Sequence, residues 1–355
     1  MKLLFVLPRF NIAGGVYITL KMAEVLAATG RHQVTVAVWD WKSAPAVTWL
    51  EIPDTVAVVP FDDALGGRYD VAFATWWETL IGLGRFEATT YAHFIQALES
   101  AFFPWGDARQ ALHEFLLESN VFPSLTTARW MLNYASQPAY CVLAGLDRAL
   151  FHPVPPVVPK QSSRIRCLVE GPMAASRKNV RPTIELLESL GLEYILAGDD
   201  ASRTAAGRHC IGTLCLPLRS MAGVYSAADV LVKCSNAEGM FAPPLEMFAC
   251  GGTAVCWDVA GAEEYMVHGY NSLLAPLNSF TAVRECLERL IADGELLARL
   301  QANAKATADA WPAWEEIGPG LERAVARVAA IANQKEFRQL VDVALQRFDW
   351  SPPAE

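Results

Sequence analysis

The sequence has no CxxC pair among its eight cysteines, and its six histidines show no metal-ligand spacing. That excludes the usual zinc and dithiol frameworks. Most cysteines lie in apolar runs such as MFACGG and GTAVCWD, which reads as buried, reduced thiols. Basic residues are in deficit: 29 Lys and Arg against 38 Asp and Glu give a net charge of −9. This excludes the basic footprint of a general nucleic-acid binder. Charged residues make up only 19% and hydrophobic ones 53%, which excludes wholesale disorder. Mean hydropathy is +0.21, yet Gly, Pro or charge breaks every apolar stretch well short of the ~18 residues that a membrane span needs. The opening MKLLFVLPRF has a short apolar run ended by Pro8 and Arg9, below the ~7–15 residues of a signal peptide's apolar core. It reads as a first strand, with a cytoplasmic location expected.

The chain does contain alternating short apolar runs and amphipathic stretches. Strands are predicted at 2–7, 33–39, 56–60, 71–75 and 91–96; a Gly14–Gly15 turn leads into a helix that runs to Thr29, and further helices are predicted at 107–119 and 124–135. Near-continuous apolar strands separated by helices indicate a parallel sheet covered on both faces. Residues 152–163, HPVPPVVPKQSS, then hold four prolines and suit an extended linker. Beyond it the pattern restarts. Strands are predicted at 164–171, 194–198, 229–235 and 253–258, with helices at 178–190, 219–227, 243–250, 279–292 and 294–310. A helix-rich tail runs from 313 to 347 and ends near Trp350. The division is therefore 1–151, a linker at 152–163, 164–330, and a tail at 331–355. Both domains are α/β, Rossmann-like and doubly wound. Ligands of such sheets bind beyond the strand ends at topological switch points, so tandem domains imply a cleft between the two sheets.

The loops after strands hold the candidate chemistry. CSNAEGMFAPPLEMFACGG (234–252) follows a strand and places seven residues between Glu238 and Glu246. Gly239 permits close ligand approach. Pro243 and Pro244 suit the first turn of a helix. Backbone N–H groups of Gly239, Met240, Phe241 and Ala242 would then favour an anionic or hydroxyl-rich ligand. Glu246, one turn into that helix, has the placement to grip a ribose diol, and Glu238 to accept from sugar hydroxyls. For an isolated pair, two solvated surface charges are the alternative. Arg177 and Lys178, after the strand RIRCLVEG, place cations near a helix start. They suit compensation of a dianionic leaving group. Gly14 and Gly15 after the first strand let backbone amides approach a phosphate, or simply make a tight turn. No D-x-D sits at a strand end. Asp199–Asp200 and Asp62–Asp63 read as turns, and no metal or other cofactor is expected.

The 234–252 string resembles the E-x7-E motif of retaining GT-B glycosyltransferases of the GT4-like family. The flanking LRSMAGVYSAADVLVKCS and VAGAEEYMVHGYNSLLAP resemble that family's segments too, so the similarity covers most of 164–310. Asn11–Val16 resembles the family's glycine-rich loop. YAHFIQALESAFFPWG (91–106) resembles the F-I-Q-D-x-E-x-x-F-x-P-W-G segment of bacterial surface-glycan rhamnosyltransferases, with Ala97 where Asp is expected. Gln96 and Glu99 would then serve donor sugar or acceptor. His93 is a core or cleft-edge histidine or a base, and Phe102, Phe103 and Trp105 are packing residues rather than an acceptor platform.

The resemblance implies a GT-B fold with two domains facing across a cleft and the tail crossing back onto the first. It implies transfer of a sugar, rhamnose by the 91–106 segment, from a nucleoside-diphosphate sugar to a saccharide or lipid-linked glycan, by a front-face reaction without metal. Arg177, Lys178 and Glu238 would carry catalysis. Gly14, Gly15, Gly239, Met240, Phe241, Ala242 and Glu246 would bind donor. A lipid-linked acceptor would put the enzyme at the inner membrane face, by peripheral association. The alternative is a catalytically silent sugar-nucleotide binder, which Ala97 favours. A nucleotide-dependent dehydrogenase or epimerase lacks support: there is no G-x-G-x-x-G and no Y-x-x-x-K with a suitable serine.

Overall fold

The computed structural model describes residues 1–11, 13–42, 50–160, 164–199 and 204–348. Ile12, Asp200, the end of the 152–163 segment and the tail beyond 348, Trp350 included, lie outside the described residues. The chain forms two compact units. One is Met1–Gly145 with the chain from Trp314 onward, and the other is Leu146–Ala313.

The first unit begins with β1 (Lys2–Arg9), α1 (Gly14–Ala28), β2 (Gln33–Asp40) and β3 (Ala57–Pro60). It continues with β4 (Arg68–Ala74), α2 (Trp77–Leu83), β5 (Glu87–Ile95), α3 (Ala108–Glu118), β6 (Ser124–Thr126) and β7 (Ala139–Cys141). The sheet is parallel, in the order β3-β2-β1-β4-β5-β6-β7. Its central strands are apolar along their length because both faces are covered: Leu3 to Leu7 are all buried. Phe5 stacks on Phe73 of the neighbouring β4 at 4.9 Å between ring centroids.

The second unit contains β8 (Arg166–Glu170), α4 (Val180–Leu190), β9 (Glu193–Ala197), β10 (Cys210–Leu214) and α5 (Met221–Tyr225). There follow β11 (Val230–Lys233), α6 (Ala242–Ala249), β12 (Thr253–Trp257), β13 (Leu273–Ala275), α7 (Phe280–Ala292) and α8 (Gly294–Ala310). This sheet is also parallel, in the order β10-β9-β8-β11-β12-β13. Both sheets are doubly wound. The order reverses between β1 and β4 in one and between β8 and β11 in the other, and each reversal is a topological switch point.

Two last helices, α9 (Trp314–Ala329) and α10 (Gln334–Phe348), belong to the first unit. Their apolar residues recur at helical spacing: Ile317, Leu321, Ala324, Val325 and Val328 on α9, and Phe337, Leu340, Val341 and Ala344 on α10, all buried. Trp314 meets Tyr17 of α1 edge-on, and Phe337 stacks on Tyr91 of β5 at 4.6 Å. The return to the first unit thus starts at Trp314, not at the predicted 331. The aromatic first residue of α9 is what docks it.

Two other expectations are corrected. The predicted helix 124–135 is β6 followed by a 3-10 turn at Arg129–Asn133. Short apolar runs do not discriminate helix from strand, and here pairing on both sides, with β5 and with β7, decides it. The proline-rich stretch is not a free linker. Val157 N–H donates to the Gly223 carbonyl at 3.1 Å, and the buried Arg166 guanidinium donates to the carbonyls of Val158 and Pro159. Prolines leave carbonyls without competing donors, so an extended segment offers them to a buried cation. Helix α2 and strands β7 and β10 were not anticipated. Among the described residues no helix is long and apolar enough to cross a membrane.

Asn333 ties α10 to the sheet. Its side chain accepts from the Tyr91 N–H at 2.9 Å and donates to the carbonyls of Tyr91 and Val121 at 2.9 and 3.1 Å. Asn333→Ala strands three buried backbone groups and is expected to cost about 3 kcal/mol. The measurement is urea denaturation of the full chain; a loss under about 0.5 kcal/mol would show that these bonds are not holding the helix.

Candidate donor site at the switch point of the second unit

The loops following β8 and β11 emerge side by side where the second sheet reverses. Each strand ends in a charged residue, Glu170 and Lys233. Asn179 locks the two loops together. It adopts a left-handed backbone (φ 48°), which asparagine tolerates better than most residues. Its side-chain amide donates to the Cys234 carbonyl at 2.9 Å and to the Asn236 side chain. Asn236 N–H donates to the Arg177 carbonyl at 2.8 Å. The 3-10 turn Ser176–Lys178, which carries the predicted basic pair, is thereby pinned against the 234–241 loop.

Four charges meet there. Lys178 Nζ lies 2.6 Å from Glu238 Oε1, with only 15% and 10% of the two side chains exposed. Lys233 is 3% exposed. It pairs with the Glu170 carboxylate and donates to the Glu170 carbonyl at 3.1 Å. Burial alone would raise the Glu238 carboxyl, but Lys178 and Lys233 outweigh it and hold it below the ordinary value. Burial pulls the Lys178 ammonium down against the attraction of Glu238. Burial also opposes the charge on Lys233, yet Glu170 and Glu238 hold that ammonium above its usual value. Two cations and two carboxylates with little access to water form a pre-ordered polar cluster, and removing any one member leaves a partner uncompensated.

The second predicted glutamate takes a different hydrogen-bond partner. Glu246 Oε2 accepts from the Tyr225 hydroxyl at 2.7 Å. Burial pushes the Glu246 carboxyl up to about 7. Glu170 adds to the shift, while the Tyr225 hydrogen bond and Lys233 oppose it.

Between the two glutamates the backbone is strained. Phe241 has a left-handed backbone (φ 49°) although it is aromatic and 2% exposed. The Tyr265 hydroxyl donates to its carbonyl. Gly261, at φ 97°, backs this loop so closely that a Cβ there would lie 2.1 Å from the Gly239 carbonyl oxygen. Phe241 is the residue ahead of α6, whose second and third residues are Pro243 and Pro244. Prolines remove two first-turn donors, so the expected amides are those of 239–242, ahead of the prolines. Met240 is buried and Ala242 begins the helix.

The first-unit candidates form a separate group. Gly14 and Gly15 open α1 with helical backbone, so no left-handed angle demands glycine at either. A Cβ at Gly14 would meet nothing within 4 Å, and one at Gly15 would touch the Gln96 amide at 3.6 Å. Gln96 donates to the Thr19 hydroxyl at 3.0 Å, which seats it beside Gly15 on the first turns of α1. His93 and Glu99 are not at a loop surface. His93 is fully buried in β5. Glu99 is 1% exposed and accepts the Trp77 N–H at the start of α2 at 2.6 Å. The α2 amide attracts its carboxylate inward. Of the aromatics, Phe102 stacks on Trp76 and Phe103 meets Trp77 edge-on, whereas Trp105 is 91% exposed and is not a packing residue. Asp62–Asp63 do lie on a turn, with Asp62 paired to Arg85.

Sequence reasoning missed Glu170, Asn179, Tyr225, Lys233, Gly261 and Tyr265. One signal was available for Lys233: a lysine ending the apolar run DVLV can be buried only with a partner.

Residues 206–307 match the family model of glycosyl transferases group 1. Comparison with curated protein sequences finds no match. Among solved structures, the chain is similar to sucrose-phosphate synthase from Thermosynechococcus elongatus, with TM-score 0.74 and 15% identity over 93% of this chain and 99% of that one. It is similar to Anabaena HepE in complex with UDP-glucose, with TM-score 0.72 and 16% identity over 92% and 100% of the two chains. It is also similar to the lipopolysaccharide outer core galactosyltransferase WaaB, with TM-score 0.64 and 11% identity over 92% and 99%. The fold is that of GT-B glycosyltransferases.

Glu246 predicts a pH dependence. Folded, its carboxyl keeps a proton up to about pH 7, against an ordinary value of 4.5. The folded state binds the extra proton between those values. The stability contributed there is complete below about pH 4.5, falls as pH rises towards 7, and is constant above. The span is about 3 kcal/mol. Glu246→Gln removes this slope, so its stability relative to wild type should improve as urea unfolding is repeated from pH 5 to pH 8. A difference independent of pH would place the carboxyl at its ordinary value.

Proposed function

We propose that the protein is a retaining, metal-independent glycosyltransferase of the GT4-like kind. It moves a sugar from a nucleoside-diphosphate sugar to a saccharide or lipid-linked glycan in bacterial surface polysaccharide synthesis. The observation that carries the reading is the buried Lys178–Glu238 pair beside the strained Phe241 loop and Glu246. All lie at the switch point of a unit matched by the group 1 family model. HepE, which shares the fold, was solved with UDP-glucose, which makes uridine the first base to test. The 91–106 segment makes rhamnose the first alternative sugar.

In this reading the bond from the anomeric carbon to the donor diphosphate breaks, and the electron pair stays on the departing phosphate oxygen. The acceptor oxygen forms its bond to the same face of the anomeric carbon, and its proton passes to that phosphate oxygen. The products are the glycoside and the nucleoside diphosphate. The protein supplies position and charge. Arg177 and Lys178 face the diphosphate, with Lys233 holding Glu170 and Glu238 in place behind them. Glu246 accepts from the ribose hydroxyls. Glu238 and the 239–242 amides hold sugar hydroxyls. These cations take the part that a divalent ion plays elsewhere. Gly14, Gly15 and Gln96 are the first unit's binding candidates, and a lipid-linked acceptor would bring the enzyme to a membrane surface.

The test incubates purified full-length protein with UDP-glucose, UDP-galactose, dTDP-rhamnose, GDP-mannose and GDP-rhamnose. Thermal shift reads binding, and released nucleoside diphosphate reads turnover with a saccharide acceptor. Lys178→Ala is expected to lower the rate about 100-fold, and Glu246→Ala to weaken donor binding about tenfold or more. Stabilisation by a donor without any turnover would favour the silent binder that Ala97 suggests. Failure of every donor to stabilise the protein would overturn the assignment.

A further inference from the structure

A second cluster lies in the first unit, in residues the donor chemistry does not use. His93 on β5, Glu99 just after that strand and His113 on α3 converge, each 1% exposed or less. Their potential ligand atoms all lie within 4.8 Å of one another. The two imidazole rings meet edge-on at 6.0 Å and 75°. Among the described residues, neither ring nitrogen of His93 and neither of His113 has a hydrogen-bond partner. Ser124, opposite His93 on β6, also leaves its hydroxyl unpaired.

Four unpaired ring nitrogens in one buried spot are a large polar debt. Buried polar groups are nearly always satisfied, and an exception calls for an ion or water that fills the gap. Hydrogen bonding among the three side chains does not fill it. Water alone would satisfy the rings, but Glu99 uses only one oxygen on the Trp77 N–H and adds an anionic donor beside them. Two imidazoles and one carboxylate within reach of a single point are the donor set of a first-row divalent ion.

We infer that His93, Glu99 and His113 bind one divalent transition-metal ion of the zinc class, as a structural clamp on the segment between β5 and α3. A tetrahedral ion about 2.0–2.1 Å from each ligand would hold the ligand atoms roughly 3.4 Å apart, so the side chains need close in by only about an ångström. The unpaired Ser124 hydroxyl is a further oxygen beside His93. Glu99 already has one oxygen on the Trp77 N–H, an outer contact of the kind that orients a ligating carboxylate. The clamp joins β5, the 3-10 turn Glu99–Phe102, α3 and, through Trp77, α2. Gln96 lies between the first two ligands in sequence, so the ion would also steady its contact with Thr19. Metal-ligand spacing is invisible in the sequence because the three residues are brought together by the sheet and α3, not by a local motif.

The test uses the untagged full-length chain, stripped with chelator and then titrated with Zn2+ or Co2+. The expected result is one ion per chain, visible Co2+ absorption of a nitrogen- and oxygen-ligated ion, and a rise of several degrees in melting temperature that chelator reverses. Glu99→Gln and His113→Ala should each weaken binding at least tenfold. No stoichiometric binding and no thermal shift in wild type would overturn the site, and that measurement needs no variant to fold. Undiminished binding by folded Glu99→Gln would overturn it as well. A donor panel read in parallel separates this outcome from failure of the transferase reading, since neither depends on the other.

Discussion

The ammonium of Lys233 is the charge on which the second unit's site depends. It ends β11, a strand otherwise apolar because both faces of the sheet are covered. A lone cation there would cost several kcal/mol. Glu170, at the end of neighbouring β8, answers it directly, and the two strands that flank the switch point are joined by that pair. Lys233 also lowers the Glu238 carboxyl, so Glu238 stays ionised where burial would protonate it. The Lys178–Glu238 pair is therefore built on a fixed charge behind it. Exposed residues could not hold this geometry, because long side chains in water spend too much entropy for too little attraction.

Backbone constraint supplies the rest. Asn179 and Phe241, both left-handed, turn the β8 and β11 loops towards each other. The angle is unfavourable for Phe241 and tolerated by Asn179, and each is held by a named bond: the Asn179 amide to Cys234, and Tyr265 to the Phe241 carbonyl. Gly261 makes room for the loop by having no Cβ. Strain concentrated in one segment, and over-determined by its surroundings, is the pattern of a site that is ordered before its ligand arrives.

The two units differ in how their polar residues are spent. In the second, charges gather at strand ends with partners of opposite sign. In the first, Glu99, His93 and His113 lie inside the core, and Glu99 serves the α2 amide. In the segment 91–106, Gln96 and Glu99 were expected to follow the strand end and face ligand, yet Glu99 is buried and Trp105, expected to pack, is exposed. Strand β5 runs to Ile95, so His93 is committed to the sheet. The 3-10 turn that follows tucks Glu99 under α2, a turn that no local pattern announces.

Much of the fold was legible in the sequence. Continuous apolar runs such as KLLFVL and VAFAT, set between helical stretches, read as central parallel strands, and the helix periods of 279–292 and 294–310 mark their faces directly. The Glu238–Glu246 spacing and the basic pair were legible too, since both lie within one strand–loop–helix unit. What only tertiary structure decided are relations between distant segments. Trp314 carries α9 to the first unit, Asn333 pairs with Tyr91, Glu170 answers Lys233, and His113 meets His93. Local sequence sets strand and helix through side-chain period and backbone angle. Partner choice for a buried charge or ring depends on which strands lie adjacent, and sheet order is a property of the whole chain.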